Sequence, residues 1–238
     1  MGRGLAFVPH PRLQAAYNAR SEQRRETTGQ QLMGFYERHL LPHFINCACG
    51  SKPIMKQREK IVPRAKGVVL EIGIGTGLNL PYYDRDNVER LIGLDPSEAS
   101  WELAGERADN IGFPIEFIGL PGEEIPLEDN SVDTIVMTYS LCTIPDPVTA
   151  LRGMGRVLRP GGVLHFAEHG RAPDEAVRRW QNRLDRPWGL IAGGCHLNRD
   201  IPRLLSEGGF HSDDQESMYL PSTPRFAGFN VWGSARPA

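Results

Sequence analysis

Residues 68–78 read VVLEIGIGTGL, an apolar run that passes directly into a glycine loop. The segment Val68–Ile72 is almost continuously apolar, which is typical of a strand that is buried on both faces of a sheet. Gly73, Gly75 and Gly77 follow, and glycine lets the backbone turn sharply and approach a ligand where a Cβ atom would collide. This stretch predicts a central strand that ends in a ligand-binding turn.

The same strand character returns four times farther along the chain, with helical segments between the strands. The clearest helix has Asp146 as its N-cap and Pro147 at its first position. Strands that alternate with helices predict an α/β fold with a doubly wound, mostly parallel sheet. Two last strands joined by a turn predict a C-terminal antiparallel hairpin and seven strands in all. The strands after the first are predicted at Arg90–Asp95, Ile115–Leu120, Thr134–Ser140 and Val163–Glu168, then around Gln215–Leu220 and Phe226–Trp232.

The residues ahead of the first strand have a different pattern. Residues 1–30 are polar, and an apolar stripe with helical spacing runs from Leu32 to about Arg58. We therefore divide the chain into an N-terminal helical segment that covers the domain, residues 1–62, and an α/β domain, residues 63–238.

Composition excludes several classes of protein. The chain has 238 residues, of which 40% are hydrophobic, so a disordered protein is excluded. Lys and Arg total 27 against 29 Asp and Glu, which disfavours a nucleic-acid partner. No apolar run approaches the roughly 18 residues of a membrane span, and four cysteines in a chain of this length do not make a disulfide framework. We expect a cytoplasmic protein that acts on a small molecule, and the oligomeric state stays open.

The glycine loop and its acidic neighbours indicate the chemistry of the ligand. A dinucleotide-binding loop needs a glycine where this chain has Leu78, and Glu71 beside the loop would repel a pyrophosphate but attract an ammonium group. Asp95 ends the next strand, where a carboxylate can accept hydrogen bonds from both hydroxyls of a ribose. Asn79 and Pro96, next to these motifs, complete this part of the predicted cofactor-binding set.

A bend after the third strand, Pro121–Leu127, has a backbone that could border an adenine ring. Together the motifs predict a ligand that has an amino group, a ribose and a base but no phosphates. S-adenosylmethionine has that composition.

Four blocks of sequence, in order over about residues 67–170, resemble the class I S-adenosylmethionine-dependent methyltransferases. The resemblance implies that the three loop glycines line the methionine part of the cofactor and that Asp95 holds the ribose. It also implies that Gly122 and Glu123 border the adenine, and that Thr138 and Tyr139 face the amino-acid end. The blocks are VLEIGIGTGLNL, LIGLDPS, EEIPLEDNSVDTIVMTYSLCTIPD and RVLRPGGVLHFAEHG.

A narrower resemblance, over about residues 65–210, is to the methyltransferase-like seven group, the alkyl-thiol S-methyltransferases. It depends on AEHG at the end of the fifth strand and on RWQNRLDRPWGLIAGGCHLNRDI, followed by EGGF. The resemblance implies that the methyl acceptor is a small aliphatic thiol or hydrogen sulfide. The animal members carry an apolar N-terminal anchor, whereas this chain begins with a polar segment that contains arginine.

The candidates for catalysis are His169 and His196, because imidazole can take a proton from an acceptor at neutral pH. Structural roles for both histidines stay open. The predicted acceptor pocket also includes residues of the cover, which would exclude water and select the acceptor. The pocket residues are Phe35, Tyr36, Cys142, Glu168 and Cys195.

Metal binding is a possible reading of His39, His43, Cys47 and Cys49. Pro42 disturbs the helix that would align them, and C-x-C is not the usual C-x2-C of structural zinc sites. We therefore expect no metal.

Three other functions remain open from the sequence. One is C-, O- or N-methylation of a quinone-like ring or another small metabolite, and the second is a non-catalytic module that only binds the cofactor. A nicotinamide dehydrogenase is disfavoured because Leu78 replaces the required glycine.

Overall fold

A computed structural model describes residues 40–238, and its centre is a twisted sheet of eight strands within that range. The strand order is β3-β2-β1-β4-β5-β8-β6, and β7 also pairs with β8. The first five strands are parallel, whereas β8 runs antiparallel to β5, β6 and β7. The strands are β1 (Gly67–Ile72), β2 (Val88–Leu94), β3 (Ile115–Ile118), β4 (Val132–Thr138), β5 (Leu158–His169), β6 (Phe210–Ser212), β7 (Glu216–Tyr219) and β8 (Phe229–Pro237).

Helices lie between the strands and ahead of the sheet. They are α1 (Leu41–Cys49), α2 (Lys52–Ile61), α3 (Glu98–Glu102), α4 (Gly105–Asp109), α5 (Pro147–Val157), α6 (Glu175–Ile191), α7 (Ile201–Glu207) and α8 (Arg225–Gly228). Asp146 caps α5 as predicted, because its carboxylate accepts a hydrogen bond from the backbone N–H of Thr149 at 3.0 Å. No helix in residues 40–238 combines the length and the apolar character that a membrane span requires.

The predicted α/β fold with a mostly parallel sheet and antiparallel C-terminal strands is confirmed. The sheet has one strand more than the seven expected, because Phe210–Ser212 pairs with the far end of β8. Only three residues long, β6 is too short to produce a clear alternation in the sequence. The connection between β7 and β8 carries the short helix α8 as well as a turn.

The core covers both faces of the sheet, which explains the continuous apolar run of β1. Leu70 packs with Leu151 of α5 on one face, and its neighbour Val69 packs with Leu91 and Ala104 on the other. All of these side chains except Ala104, which is 1% exposed, have no exposed surface. Full burial of one such aliphatic side chain contributes about 1.5–3 kcal/mol, so both faces stabilise the strand strongly.

The described part of the N-terminal segment packs on the sheet. Ile61 of α2 has no exposed surface and lies in an apolar cluster with Ala167 of β5 and Trp232 of β8. This packing holds α2 beside the carboxyl ends of the central strands. Phe35 and Tyr36, predicted to line the acceptor pocket, lie outside the described residues.

The topology itself marks where a ligand binds. The chain winds outward from β1 to β3 and then returns to the other side of β1 as β4. In open α/β sheets, ligands bind outside the carboxyl ends of the strands at such a reversal.

Candidate active site

The glycine loop after β1 turns through the left-handed region of backbone conformation. The φ angles of Gly73, Gly75 and Gly77 are 73°, 48° and 71°. A Cβ atom on Gly73 would lie 2.1 Å from Oγ of Ser140, so this glycine permits close packing of the loop on the end of β4. A Cβ on Gly75 would meet no atom of the described residues closer than 3.8 Å, that atom being Oδ2 of Asp95. An added Cβ at Gly75 would therefore make only ordinary van der Waals contacts with the described residues, so this part of the loop is not packed tightly against the protein.

Asp95, directly after β2, is bonded to the glycine loop. Its two carboxylate oxygens accept hydrogen bonds from the backbone N–H groups of Gly75 at 3.0 Å and Ser97 at 2.8 Å. Burial raises the pKa of Asp95 to about 6, against the lowering effect of these two bonds. An ionised carboxylate has about four acceptor positions, so further hydrogen bonds to a ligand are available. Pro96 follows on the exposed side.

Glu71 and Asn79 form a buried polar network at the end of β1. The carboxylate of Glu71 accepts hydrogen bonds from the hydroxyl of Tyr83 at 2.7 Å and from Nδ2 of Asn79 at 2.9 Å. Burial raises the pKa of Glu71 to about 7. The side-chain amide of Asn79 also donates to Oγ1 of Thr138 at 2.9 Å, which joins the ends of β1 and β4.

Arg58 of α2 completes this network, although no sequence motif marks it as a site residue. Its Nη1 donates to Oδ1 of Asn79 at 2.7 Å and to Oγ1 of Thr138 at 2.5 Å. The guanidinium carbon lies 5.3 Å from the ring centroid of Tyr139. Arg58 is 5% exposed, its Nε has no hydrogen-bond partner, and no carboxylate of residues 40–238 forms an ion pair with it. The site thus holds a buried cation whose hydrogen-bonding capacity is not exhausted.

Tyr139 and Glu168 shape the turn after β4. Tyr139 adopts a φ of 56°, unusual for a residue with a side chain, and its hydroxyl donates to Oδ1 of Asn230 at 2.6 Å. One oxygen of Glu168 accepts hydrogen bonds from the backbone N–H groups of Ser140 at 2.8 Å and Leu141 at 3.1 Å. The other oxygen is buried without a partner, and burial raises the pKa of Glu168 to about 8.

Cys142, His169 and Cys195 form a cluster that we call the thiol–imidazole cluster. The Sγ atoms of the two cysteines are 3.7 Å apart, and Sγ of Cys195 is 3.6 Å from Nε2 of His169. A hydrogen bond from Cys195 holds the pKa of Cys142 well below its usual value despite burial, and the charge of His169 acts in the same direction. Burial lowers the pKa of His169, but the charge and hydrogen bond of Cys142 and the charge of Glu168 outweigh it and raise that pKa overall.

The structure does not bring the ring of His196 into this cluster. Nδ1 of His196 lies 2.9 Å from a carboxylate oxygen of Asp185, and the side chain is 46% exposed. Its backbone N–H donates to the carbonyl of Cys142 at 2.9 Å. The described contacts of His196 with the cluster are therefore made by its backbone.

Comparison with known proteins agrees with this geometry. Residues 70–166 match the family model described as a methyltransferase domain. Human thiol S-methyltransferase TMT1B is 34% identical over 172 residues, which cover 68% of this chain and 70% of the human protein. The chain belongs to the S-adenosylmethionine-dependent methyltransferases.

More distant methyltransferases show the breadth of the family. The ubiquinone/menaquinone biosynthesis C-methyltransferase UbiE of Escherichia coli is 31% identical over 159 residues, which cover 63% of this chain and 62% of that protein. A methyltransferase structure from Leishmania major superimposes with a TM-score of 0.62 at 15% identity and covers 91% of this chain and 89% of that one. At that identity the likeness shows the fold alone.

S-adenosylmethionine is the cofactor that a methyltransferase of this family implies, and the site fits it. Gly75 is not tightly packed, and its backbone N–H lies beside the carboxylate of Asp95, which fits a loop that borders a ligand. The incompletely bonded cation of Arg58 suits a carboxylate, and the buried Oε2 of Glu123, which has no partner, suits a hydroxyl or amino donor. Glu123 is held by its other oxygen, which accepts from the backbone N–H of Asp146 at 2.9 Å. Next to it, Gly122 is buried, and a Cβ there would lie 2.9 Å from Ile144.

Proposed function

We propose that this methyltransferase transfers the methyl group of S-adenosylmethionine to the sulfur of a small thiol. The observation that carries the proposal is the thiol–imidazole cluster at the carboxyl ends of β4 and β5, next to the predicted amino-acid end of the cofactor site. Sulfur and imidazole groups that lie 3.6–3.7 Å apart suit a site that stabilises a thiolate. The 34% identity to a human thiol S-methyltransferase supports the same acceptor class.

The cofactor residues hold a zwitterionic amino acid at one end and a nucleoside at the other. Arg58 would bind the carboxylate of the methionine part, and the charge of Glu71 would favour its ammonium group. Asp95 would accept from the ribose hydroxyls, with Gly122 and Glu123 beside the adenine. When bound, the cofactor supplies a methyl group on a positively charged sulfur that is already activated. The remaining tasks of the protein are alignment and exclusion of water.

His169 would act as the general base. A thiol with a pKa of about 8.5 is only a few per cent ionised at neutral pH, and the thiolate is the reactive form. Neutral imidazole at Nε2 would take the proton from the acceptor sulfur, and the imidazolium that forms would stabilise the thiolate beside it. Because the raised pKa of His169 reflects a site that favours the imidazolium, the proton transfer is assisted by its surroundings.

Glu168, which the sequence predicts as a pocket residue, would instead be a positioning residue, because its side chain has no exposed surface. It accepts the two backbone N–H groups that begin the turn leading to Cys142, so it orients the cysteine without touching the acceptor. Cys142 and Cys195 would form the wall of the acceptor pocket. Phe35 and Tyr36 stay predictions for the opposite wall.

A substrate panel tests the proposal. Purified enzyme is incubated with S-adenosylmethionine and, separately, hydrogen sulfide, a short alkyl thiol, a phenol, an amine and a quinol. Mass spectrometry then quantifies S-adenosylhomocysteine and the methylated product. We expect product with the thiols, and turnover of the phenol, amine or quinol alone would overturn the proposal.

A pH profile tests the role of His169. We expect His169→Gln to lower kcat for thiols with little change in cofactor affinity, and to remove the acid limb of the wild-type profile, because the neighbouring Cys142 and Glu168 raise the pKa of His169. His211→Gln is a matched control, because that side chain is 57% exposed and lies in β6. An acid limb that persists in the profile of the His169→Gln variant would exclude His169 as the base.

His196 remains a second catalytic candidate. His196→Gln lowers turnover in the same way only if its ring reaches the acceptor in the complex. Its pairing with Asp185 leads us to expect near wild-type turnover.

The second candidate function is methylation of a quinone-like ring, which the 31% identity to UbiE favours. The quinol arm of the panel decides between the two. A protein that binds S-adenosylmethionine but forms no S-adenosylhomocysteine in any arm would be a non-catalytic binding module.

A cytoplasmic location stays a prediction.

A further inference from the structure

We infer that the thiol–imidazole cluster is a zinc site with three protein ligands and one open coordination position. The ligands would be Sγ of Cys142, Sγ of Cys195 and Nε2 of His169. The inference rests on the proposed function for its chemical role, because the open position would take the acceptor sulfur.

The two distances from Sγ of Cys195 to the other donor atoms match the edges of a tetrahedral zinc site. With Zn–S bonds of about 2.3 Å and a Zn–N bond of about 2.0–2.1 Å, a regular tetrahedron sets the S–S edge at about 3.8 Å and the S–N edge at about 3.6 Å. The Sγ atoms of Cys142 and Cys195 lie 3.7 Å apart, and Sγ of Cys195 lies 3.6 Å from Nε2 of His169. All three donor atoms lie within 4.8 Å of one another. A small movement of side chains would therefore admit the ion.

The donor set and its surroundings also suit zinc. Two thiolates and an imidazole are the soft and borderline donors that zinc prefers. The backbone of His196 raises the pKa of His169, and a backbone acceptor beside the ring is the usual support for a metal-binding imidazole. Nε1 of Trp188 donates to Sγ of Cys195 at 3.4 Å, a bond that a coordinated thiolate strengthens.

The charge of the occupied site is also compensated. Two thiolates neutralise the ion, and a third thiolate from the acceptor would leave one negative charge. The guanidinium of Arg199 donates to the carbonyls of Leu141 and Ile144, and its charge interacts with both cysteines. The positive charge of Arg199 would therefore stabilise the extra negative charge of the occupied site.

Three protein ligands distinguish a catalytic zinc site from a structural one, which has four. Among residues 40–238 no fourth His, Cys, Asp or Glu joins the cluster. Cys49 lies near enough for its charge to affect Cys195, but it does not belong to the group. The fourth position is thus left for water or for the acceptor.

Nε2 of His169 cannot hold the ion and also accept a proton, so the ion activates the acceptor in the zinc-loaded enzyme, and His169 acts as the base only when the metal is absent. The thiol displaces a zinc-bound water, its S–H bond breaks, a Zn–S bond forms, and the proton passes to solvent. A lone pair of the bound sulfur then forms a C–S bond to the methyl carbon. The bond between that carbon and the sulfonium sulfur breaks, and its electron pair stays on the sulfur of S-adenosylhomocysteine. The neutral thioether is a weak ligand, so water returns to the ion and no oxidation or reduction occurs.

The first test measures metal content rather than activity. The full chain is purified without chelators under reducing conditions, supplied with one equivalent of zinc, dialysed, and analysed by mass spectrometry for zinc. We expect about one zinc per chain, and a more than roughly tenfold lower content in Cys142→Ser and Cys195→Ser. Cys47→Ser is the matched control, because Cys47 is exposed and outside the cluster.

A spectroscopic measurement keeps the test independent of whether a variant folds. Wild-type protein loaded with cobalt in place of zinc should show thiolate-to-cobalt charge-transfer absorption. Calorimetry with S-adenosylmethionine is the control for folding, because a variant that still binds the cofactor is folded. A wild-type protein that retains no zinc and shows no such absorption overturns the inference. So does equal zinc loss from Cys47→Ser, or a Cys142–Cys195 disulfide as the dominant state in reducing buffer.

Activity separates this inference from the proposed function. Metal-free enzyme that methylates thiols at the full rate would refute the zinc role and leave the proposed function standing. Zinc bound by the three residues in an enzyme that methylates only phenols, amines or quinols would refute the thiol acceptor and leave the metal site standing.

Discussion

Replacement of Arg58 tests how the site recognises the amino-acid end of the cofactor. Arg58 is buried, its Nε has no partner, and it already orients Asn79 and Thr138 through Nη1. A hydrogen bond to a charged group contributes about 1.5–3 kcal/mol. At 1.4 kcal/mol per factor of ten, Arg58→Met should raise the Kd of S-adenosylmethionine roughly 10- to 100-fold. Isothermal titration calorimetry measures the change directly.

A truncated ligand separates this effect from general damage to the site. 5′-Methylthioadenosine has the nucleoside but lacks the carboxylate, so its affinity for Arg58→Met should stay within about twofold of wild type. Arg58→Lys keeps the positive charge and should lose less affinity. Lys56→Met removes an exposed charge from the same helix and serves as the matched control. Equal losses for both ligands, or no loss for S-adenosylmethionine, would refute the assignment of Arg58 to the carboxylate.

Four further substitutions test the loop and the buried carboxyl groups. Asp95→Ala should weaken cofactor binding by about 1.5–3 kcal/mol because it removes a charged acceptor; calorimetry checks this, and an unchanged Kd would count against ribose binding. Both Gly75→Ala and Gly73→Ala strain a backbone of positive φ, but Gly73→Ala should lower Tm more, because its methyl group would also lie 2.1 Å from Oγ of Ser140, and Gly75→Ala should lower cofactor affinity with the smaller fall in Tm. Thermal melts and calorimetry on both variants decide, and a reversed ranking would contradict the assignment of Gly75 to the cofactor loop. Glu168 keeps its proton in the folded chain up to about pH 8 but loses it near pH 4.5 when unfolded, so its contribution to the free energy of unfolding decreases as pH rises between these values. Glu168→Gln should therefore reduce that decrease in urea unfolding at pH 5.5 and 8.5, and identical pH dependence in both proteins would argue against a raised pKa.

The cofactor-binding residues can be predicted from the sequence because the patterns that mark them lie within short segments. A buried strand followed by closely spaced glycines specifies a strand and a turn, and Asp95 follows at the end of the next strand. In a parallel sheet, neighbouring strands bring their carboxyl ends to one edge, so these residues meet once the fold class is known. The structure places Gly75 and Asp95 in direct hydrogen-bond contact.

Arg58 could not be found in the same way. It stands in the run KQREK, which reads as a solvated helix face. Only the packing of α2 against β5 and β8, through Ile61 and Trp232, buries it beside Thr138. A charge run that contains one buried member has no distinguishing pattern in a single sequence.

The sequence by itself determined the fold class, the cofactor loop and the family, because strand periodicity and glycine spacing are properties of short segments. Tertiary structure alone decided which distant side chains meet. Cys142 follows β4 and His169 ends the neighbouring strand β5, but Cys195 comes from the loop after α6, and its 3.6 Å approach to His169 depends on how that helix packs. Long-range contacts of this kind arise from the burial of apolar surface over the whole domain, which leaves no local periodic pattern.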